Sequence, residues 1–342
     1  MNGARPATRL PAEWRRHRAT YLAWPKEREI WGKHLEGARR EFAEFCRTLA
    51  TTGGEAVEVL VGDSAMAERV ESELGGLAVR AHVAAYADVW LRDTGPLFVH
   101  RDGRTVAVAF SFNGWGGKYL YPADLGVAAE IARLAGAELV RTELVCEGGA
   151  IETDGEGTCL TTTGCLLNPN RNPGMTPRAV ERVLAETLGI ARTVWLEGCL
   201  LGDHTDGHVD TLARFCGPGR VLCMRARERG DPNRAMLERL IDQVRAARDA
   251  RGDCLEVIEI PAPGRVCDER GRPLPASYLN FYVANEAVVV PLFGTPYDEE
   301  AVAAIGACFQ GRAAVGVPCR HVLTGGGAWH CVTKQEPVVP GA

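Results

Sequence analysis

"YLNFYVANEAVVVPLFGTPYDEEAVAAIGACFQGRAAVGVP", residues 278–318, decides how the chain is read. Apolar alternation on both sides of the A-N-E turn residues marks a hairpin over 278–293. Apolar residues at three- and four-residue intervals behind an acidic first turn mark a helix over 298–310. The short apolar run 312–318 then reads as a strand. The unit is hairpin, helix, strand.

The same order recurs upstream. Helical periodicity returns at 36–50, 122–135, 177–188 and 232–250, and strand-like runs follow at 55–62, 138–144, 191–198 and 255–260. Hairpin signals occupy 95–110, 149–162 and 208–225, around D-G, D-G-E-G and G-P-G turns, while an extra helix and strand near 64–84 lengthen the first unit. Five repeats of one supersecondary unit predict a closed or stacked repeat architecture. Closing into a ring removes the sheet edges, so the run 330–339 is expected to pair beside 19–25. A doubly wound parallel sheet also alternates helices with strands, but the repeated hairpins count against it. The expected fold is α/β, a five-fold pseudosymmetric propeller. No Pro/Ser-rich linker or charge block interrupts it, so residues 1–342 are expected to form a single domain.

Composition narrows the function classes. With 46% hydrophobic and 24% charged residues among 342, the chain can bury a sizeable core, which excludes disorder. The 39 basic residues are dispersed among 44 acidic ones and the formal net charge is −5, which argues against a nucleic-acid partner. No apolar run approaches the roughly 18 residues of a membrane span, and residues 1–25 have arginines without an apolar core, so a cytoplasmic protein is expected. The twelve cysteines form no C-x-x-C pair. Cys319, His321, His330 and Cys331 crowd together, but their spacing fits no standard zinc pattern.

The costly polar residues fall where a strand hands over to its hairpin: Trp90, Arg92 and Asp93 in "DVWLRDTGP", Glu147 in "CEGGA", Asp203, Asp206, His208 and Asp210 in "GDHTDGHVDTLARF", Asn280 in "LNFYV", and Cys331 in "GGGAWHCVT". In a radial arrangement these junctions converge on one central pit. A thiolate is a strong nucleophile, but carboxylates around it raise the thiol pKa, so a cation is expected to bind there. A guanidinium fits, because its planar fork of N–H donors can be gripped by two carboxylates that leave its carbon facing the sulfur. A histidine can protonate the departing amine and later activate water, which makes the reaction hydrolytic deimination. Gly148, Gly149, Gly207 and Gly325–Gly327 stand where backbone comes close to a ligand or takes positive φ; turns at the hairpin starts would explain them as well.

Each of these residues also has a plainer reading. A lone cysteine is more often core filler, His208 and Asp210 could be a structural ion pair on one strand face, and Asp93 and Glu147 could be turn acids. Their combination is what points to chemistry. "VWLRDTGP", "EGGAIETDGEGTCLTT", "LLNPNRNP", "TDGHVDTLARF", "LPASYLNFYVANEAVVVP" and "GGGAWHCVT" together resemble the agmatine deiminase family, grouped with the Porphyromonas-type peptidylarginine deiminases, over nearly the whole chain. The resemblance implies the pentein fold of the guanidine-modifying superfamily. It implies Cys331 as nucleophile through an amidino-thioether, His208 as general acid and base, Asp93 and Asp210 on the guanidinium, and Glu147 as a further carboxylate near His208. Trp90 would line the substrate channel, and Gly326 and Gly327 would bring backbone to the substrate. No metal or organic cofactor is implied. The products would be N-carbamoylputrescine and ammonia from agmatine and water.

Where the family pattern has amides, this chain has Asp206 and Thr211. An acid at 206, with Asp203 nearby, is expected to suit agmatine's distal ammonium and to disfavour the carboxylate of arginine. Peptidylarginine deimination and amidino transfer to an amine are the competing reactions, and a noncatalytic guanidine-binding propeller is the third class. The sequence leaves the oligomeric state open, a homodimer being common in such folds.

Overall fold

Alternating β-branched strands with short turns, punctuated by amphipathic helices, produce a mixed α/β structure with five small mixed sheets; the computed structural model describes residues 8–339. Strands β1 (His17–Ala23), β2 (Val57–Val61), β3 (Val79–Val83) and β16 (Lys334–Pro337) form one sheet in the order β16-β1-β2-β3. The others are β4 (Leu97–Arg101), β5 (Arg104–Ser111) and β6 (Glu138–Val145); β7 (Glu152–Thr153), β8 (Thr158–Thr162) and β9 (Arg192–Leu196); β10 (Ala213–Gly217), β11 (Arg220–Arg225) and β12 (Glu256–Pro261); and β13 (Tyr282–Val283), β14 (Ala287–Leu292) and β15 (Ala313–Pro318). In each of these four the first pair is antiparallel and the second parallel. This is the hairpin-then-crossover order read from the sequence. Likewise β16 pairs antiparallel to β1, with Tyr21 opposite Lys334, so the segment carrying Cys331 is anchored beside the first strand.

Local chemistry explains the boundaries. The β4–β5 turn places Asp102 and Gly103 at φ 51° and 72°, the left-handed pair that a two-residue hairpin loop requires. The helix Pro177–Leu188 begins where the Thr176 side chain accepts from the Ala179 amide and ends at Gly189 with φ 73°. Two helices are shorter than their periodicity predicts. The one over 232–250 spans Arg234–Ala246, because the Asp249 carboxylate accepts from the Arg251 and Asp253 amides and turns the chain there. The one over 298–310 ends at Gly306, which lies against Ala314. The first part of 122–135 is a 3-10 turn, Pro122–Gly126, ahead of the helix Val127–Ala135.

The core reaches directly under the site. From the helix Leu35–Ala50, Phe42, Phe45, Cys46 and Leu49 are fully buried, and Phe45 stacks at 4.3 Å on Trp329, two residues before Cys331. No helix among the described residues is long and apolar enough to cross a membrane.

Candidate active site

A device absent from the sequence reading positions the site. One short helical turn precedes the first strand of a pairing at four junctions: Leu91–Thr94 before β4, Gly148–Ala150 before β7, Val209–Thr211 before β10 and Trp329–Val332 before β16. Asp93, Glu147, His208, Asp210 and Cys331 stand on or beside these turns. The turns pack closely: a Cβ on Gly148 would collide with the Arg92 carbonyl, so only glycine fits there.

Cys331 borders a cavity of about 300 Å³ whose walls include Trp90, Asp93, Trp115, Asp88, Glu29 and Gly325–Gly327. Its sulfur lies 3.5 Å from Asp210 Oδ2 and accepts from Asn280 Nδ2 at 3.1 Å. Burial first, then the charges of Asp210 and Asp93, push the Cys331 thiol well above its ordinary pKa. The resting thiol therefore holds its proton, and a bound cation would release it.

His208 is fully buried, and neither ring nitrogen has a hydrogen-bond partner. Nδ1 faces Asp93 Oδ2 at 3.8 Å, and Nε2 faces Glu147 Oε2 at the same distance. Burial opposes its charge, but Asp93, Cys165 and Glu147 outweigh burial and raise the His208 pKa well above the ordinary imidazole range. Asp93 Oδ1 accepts from the Gly149 amide at 2.9 Å and Oδ2 from Trp115 Nε1 at 2.9 Å. Burial raises its pKa. Trp115 does this from a left-handed backbone, φ 53°, an unusual conformation for a bulky residue. Glu147 Oε1 accepts from Arg171 Nε at 2.8 Å; burial pulls its pKa up, but His208 and Arg171 hold it lowered. Asp210 leaves Oδ1 buried without a partner.

One point collects these groups. A Cβ built on Gly149 would lie 2.5 Å from His208 Nδ1, 3.0 Å from Asp93 Oδ1 and 3.1 Å from Asp210 Oδ2. An imidazole and two carboxylates thus pack around Gly149 too closely to admit even a methyl group, with the Cys331 sulfur next to Asp210; of these groups Asp93 and Cys331 border the cavity.

Trp90, Gly326 and Gly327 line the same cavity. Trp90 stacks on Trp31 at 6.2 Å, and both indole N–H groups donate to Asp88, at 2.8 and 3.1 Å. A Cβ on Gly327 would sit 2.7 Å from the Trp90 ring and 3.0 Å from the Cys331 sulfur. Asp203 and Asp206 do not border the cavity, and neither do His208, Asp210 and Glu147. Asp203 accepts from the Thr205 and Gly207 amides and shapes its own loop. Asp206 Oδ2 is occupied by Lys118 at 2.7 Å and Arg171 at 2.5 Å, with Asn170 at 3.1 Å. Its charge is already neutralised.

Asn280 stood among the junction residues without an assigned role; Asp88 and Arg171 lie inside the motifs "DVWLRDTGP" and "LLNPNRNP" and Trp115 reads as a core or rim aromatic, but none of them, nor Glu13, had a role assigned. Asn280, Trp115, Arg171 and Glu13 act through contacts distant in the chain, and Asp88 joins Trp90 beside it to the distant Trp31. The C-terminal group considered for zinc is not one site: His321 Nδ1 lies 3.3 Å from His34 Nδ1, whereas His330 bonds Asp210 and Glu13. Among the described residues one triad could offer metal donors, Glu147, Cys165 and His208, whose ligand atoms lie within 4.8 Å of one another. Arg171 already neutralises that carboxylate.

The Porphyromonas-type peptidyl-arginine deiminase family model matches residues 9–337. The agmatine deiminase of Ectopseudomonas mendocina is 36% identical over 97% of this chain and 96% of its own length. The solved agmatine deiminase of Enterococcus faecalis superposes with a TM-score of 0.90 at 28% identity, covering 98% of both chains. An agmatine deiminase of C. jejuni, a cysteine-to-serine variant with substrate bound, gives a TM-score of 0.90 at 26% identity over 99% of this chain and 98% of that one.

Proposed function

The chain belongs to the Porphyromonas-type peptidyl-arginine deiminase family, and from that premise we propose that it hydrolyses agmatine with water to N-carbamoylputrescine and ammonia. The observation that carries the reading is the packing of His208, Asp93 and Asp210 around Gly149, with the Cys331 sulfur 3.5 Å from Asp210 and both Cys331 and Asp93 on the cavity wall.

Asp93 and Asp210 would accept from the guanidinium N–H groups and fix its plane, leaving its carbon toward the sulfur. Such positioning is worth roughly 7 to 11 kcal/mol in favourable cases. The bound positive charge offsets the two carboxylates that hold the Cys331 proton, so on binding the thiol gives that proton up to solvent through the cavity and becomes the thiolate. Sulfur adds to the carbon, forming the C–S bond. The His208 imidazolium gives its proton to a terminal nitrogen, the C–N bond breaks, and ammonia leaves an amidino-thioether. Neutral His208 then takes a proton from water, hydroxide adds to the same carbon, and the C–S bond breaks as the hydroxyl proton passes to the departing sulfur, which restores the thiol and releases the ureido product.

The cavity wall supports agmatine over arginine. Its carboxylates are Glu29, Asp88 and Asp93, and its lining includes no lysine or arginine to pair with a substrate carboxylate. Glu29, exposed at the mouth, is the acid proposed to meet the distal ammonium. The same reading has the five sheets repeat around one axis as a pentein propeller. It makes the chain a single cytoplasmic domain that works without metal or organic cofactor, with homodimerisation open to a sedimentation measurement.

Brief exposure to agmatine, followed by acid quench and mass spectrometry, should find an amidino adduct on Cys331. Turnover of agmatine should exceed that of arginine and of peptides ending in arginine. A preference for the carboxylate-bearing substrates would overturn the assignment in favour of peptidylarginine deimination, and transfer of the adduct to an added amine in preference to water would make the protein an amidinotransferase.

A further inference from the structure

Behind Asp210 lies a buried string that the proposed chemistry does not use. His330 Nδ1 is 2.7 Å from Asp210 Oδ2, and its Nε2 is 2.8 Å from Glu13 Oε2. Glu13 is in turn held by Arg214 at 2.9 Å, by the Val283 amide at 2.9 Å and by Arg92 at 3.2 Å. All five side chains are buried, His330 to 2% exposure and Asp210 completely. Arg92 Nε also donates to the His330 carbonyl at 3.2 Å, so the ring and its backbone are fixed together.

We propose that His330 is a positioning residue for the reaction: by tying Asp210 Oδ2 to Glu13 it leaves Asp210 Oδ1 as the oxygen that receives the guanidinium. This rests on the deimination reading only for the identity of the ligand. Asp210 Oδ2 is already shared by His330, Asn280 and the Cys331 thiol, at 2.7, 3.1 and 3.5 Å, whereas Oδ1 is buried without a partner. A carboxylate free to rotate would exchange the two oxygens, and a bond from a buried, immobile donor prevents it.

Proton counting supports the assignment. Two contacts this short need two protons, because a lone pair facing a carboxylate oxygen would be repelled. A neutral imidazole supplies one. His330 and Asp210's other neighbours hold the Asp210 pKa below the usual carboxylate range against burial, and Arg214 and His330 do the same for Glu13, so neither acid carries the second proton. Burial, Arg214 and Arg92 outweigh Glu13 and Asp210 and lower the His330 pKa. Against that balance stands the geometry: both ring nitrogens make short contacts to carboxylate oxygens, and this pairing favours an imidazolium. The string then carries one net negative charge in place of two.

The test uses amides that imitate one ring nitrogen each. His330→Asn keeps a donor near the Nδ1 position and should leave KM for agmatine within about threefold. His330→Gln keeps the reach toward Glu13 but loses the bond to Asp210; its KM should rise roughly tenfold to hundredfold, the size of a hydrogen bond to a charged group, with kcat changed less. Equal KM values for the two variants, or a loss confined to kcat, would overturn the proposal. Nitrogen-15 NMR of the unmodified protein, labelled at histidine, is independent of activity and of the variants' folding. It should show both His330 nitrogens protonated, and a single N–H there would overturn it equally. If agmatine is not turned over at all, the function reading fails while the NMR result still decides the string.

Discussion

Asn280 grips Cys331 from two sides: its Nδ2 lies 3.1 Å from the sulfur, and its Oδ1 accepts from the Cys331 amide at 3.2 Å. The same Oδ1 takes the Ala328 amide at 3.1 Å, and the Asn280 carbonyl takes the His330 amide at 3.0 Å. One buried amide thus holds the loop that carries the thiol and also offers that thiol a donor. It favours the thiolate against the carboxylates that oppose it.

Asn280→Ala removes the donor and should lower kcat/KM by roughly tenfold to hundredfold. Asn280→Asp sets a further carboxylate against the sulfur, so its loss should be larger. The discriminating measurement is the pH dependence of Cys331 alkylation by iodoacetamide. The aspartate variant should need a higher pH than the parent to react, and an unchanged profile would sink the account.

Glu147 should be read out through His208. Together with Asp93 and Cys165 it raises the imidazole pKa against burial. In a Cys331→Ser background, where turnover does not interfere, Glu147→Gln should move the NMR titration of His208 to lower pH. The sign for stability follows. A raised folded pKa contributes stability that is complete below the unfolded value of about 6.5 and lost as pH rises through the folded one. Denaturation of the glutamine variant should therefore depend less on pH across that window. A His208 titration that does not move would mean the 3.8 Å contact carries no charge coupling.

The repeat was legible because hairpin, helix and strand each follow local rules. Asp102-Gly103 and the Thr176, Pro177 and Gly189 punctuation fix their turns whatever surrounds them. The helical turns that carry the site were not legible. "WLRDT" and "WHCV" have no apolar period of their own, and they curl because neighbouring junctions press on them, as the Gly148–Arg92 approach shows. The roles of Asp206 and Glu13 were hidden for a related reason: their partners Lys118 and Arg171, or Arg92, Arg214 and His330, arrive from distant segments.

Asp206→Asn separates the two accounts of that acid. Asparagine tolerates the left-handed φ of 65° at this position, so the backbone should not object. Loss of the partly exposed Lys118 pair and of the pair with the buried Arg171 guanidinium should together cost roughly 1 to 3 kcal/mol, seen as a drop in Tm. The ratio of agmatine to arginine turnover should stay as it was. Glu29→Gln, in contrast, should raise KM for agmatine while sparing a guanidine that lacks the second amine. If the asparagine change alone relaxes selectivity toward arginine, the charge at 206 reaches the substrate after all.

Gly149→Ala tests the convergence most directly, because it adds one methyl group and no charge. Its Cβ would meet His208 Nδ1 at 2.5 Å, with Asp93 Oδ1 and Asp210 Oδ2 at 3.0 and 3.1 Å. All three groups are buried, which confines His208, and the two acids are also held by hydrogen bonds, Asp93 by the Gly149 amide and Trp115, Asp210 by His330 and Asn280. Displacing a catalytic group by about 1 Å can cost on the order of a hundredfold, and here three are pushed at once. Activity should fall by at least that factor. Overpacking in a closed core costs typically 1 to 3 kcal/mol, so the variant should still fold, with a lowered Tm. As a control, Gly126→Ala, where a Cβ would meet nothing within 4 Å, should leave the rate unchanged. An alanine at 149 with near-parental activity would show that the imidazole and the two carboxylates do not act on a common point, and the chemistry assigned to them would have to be withdrawn.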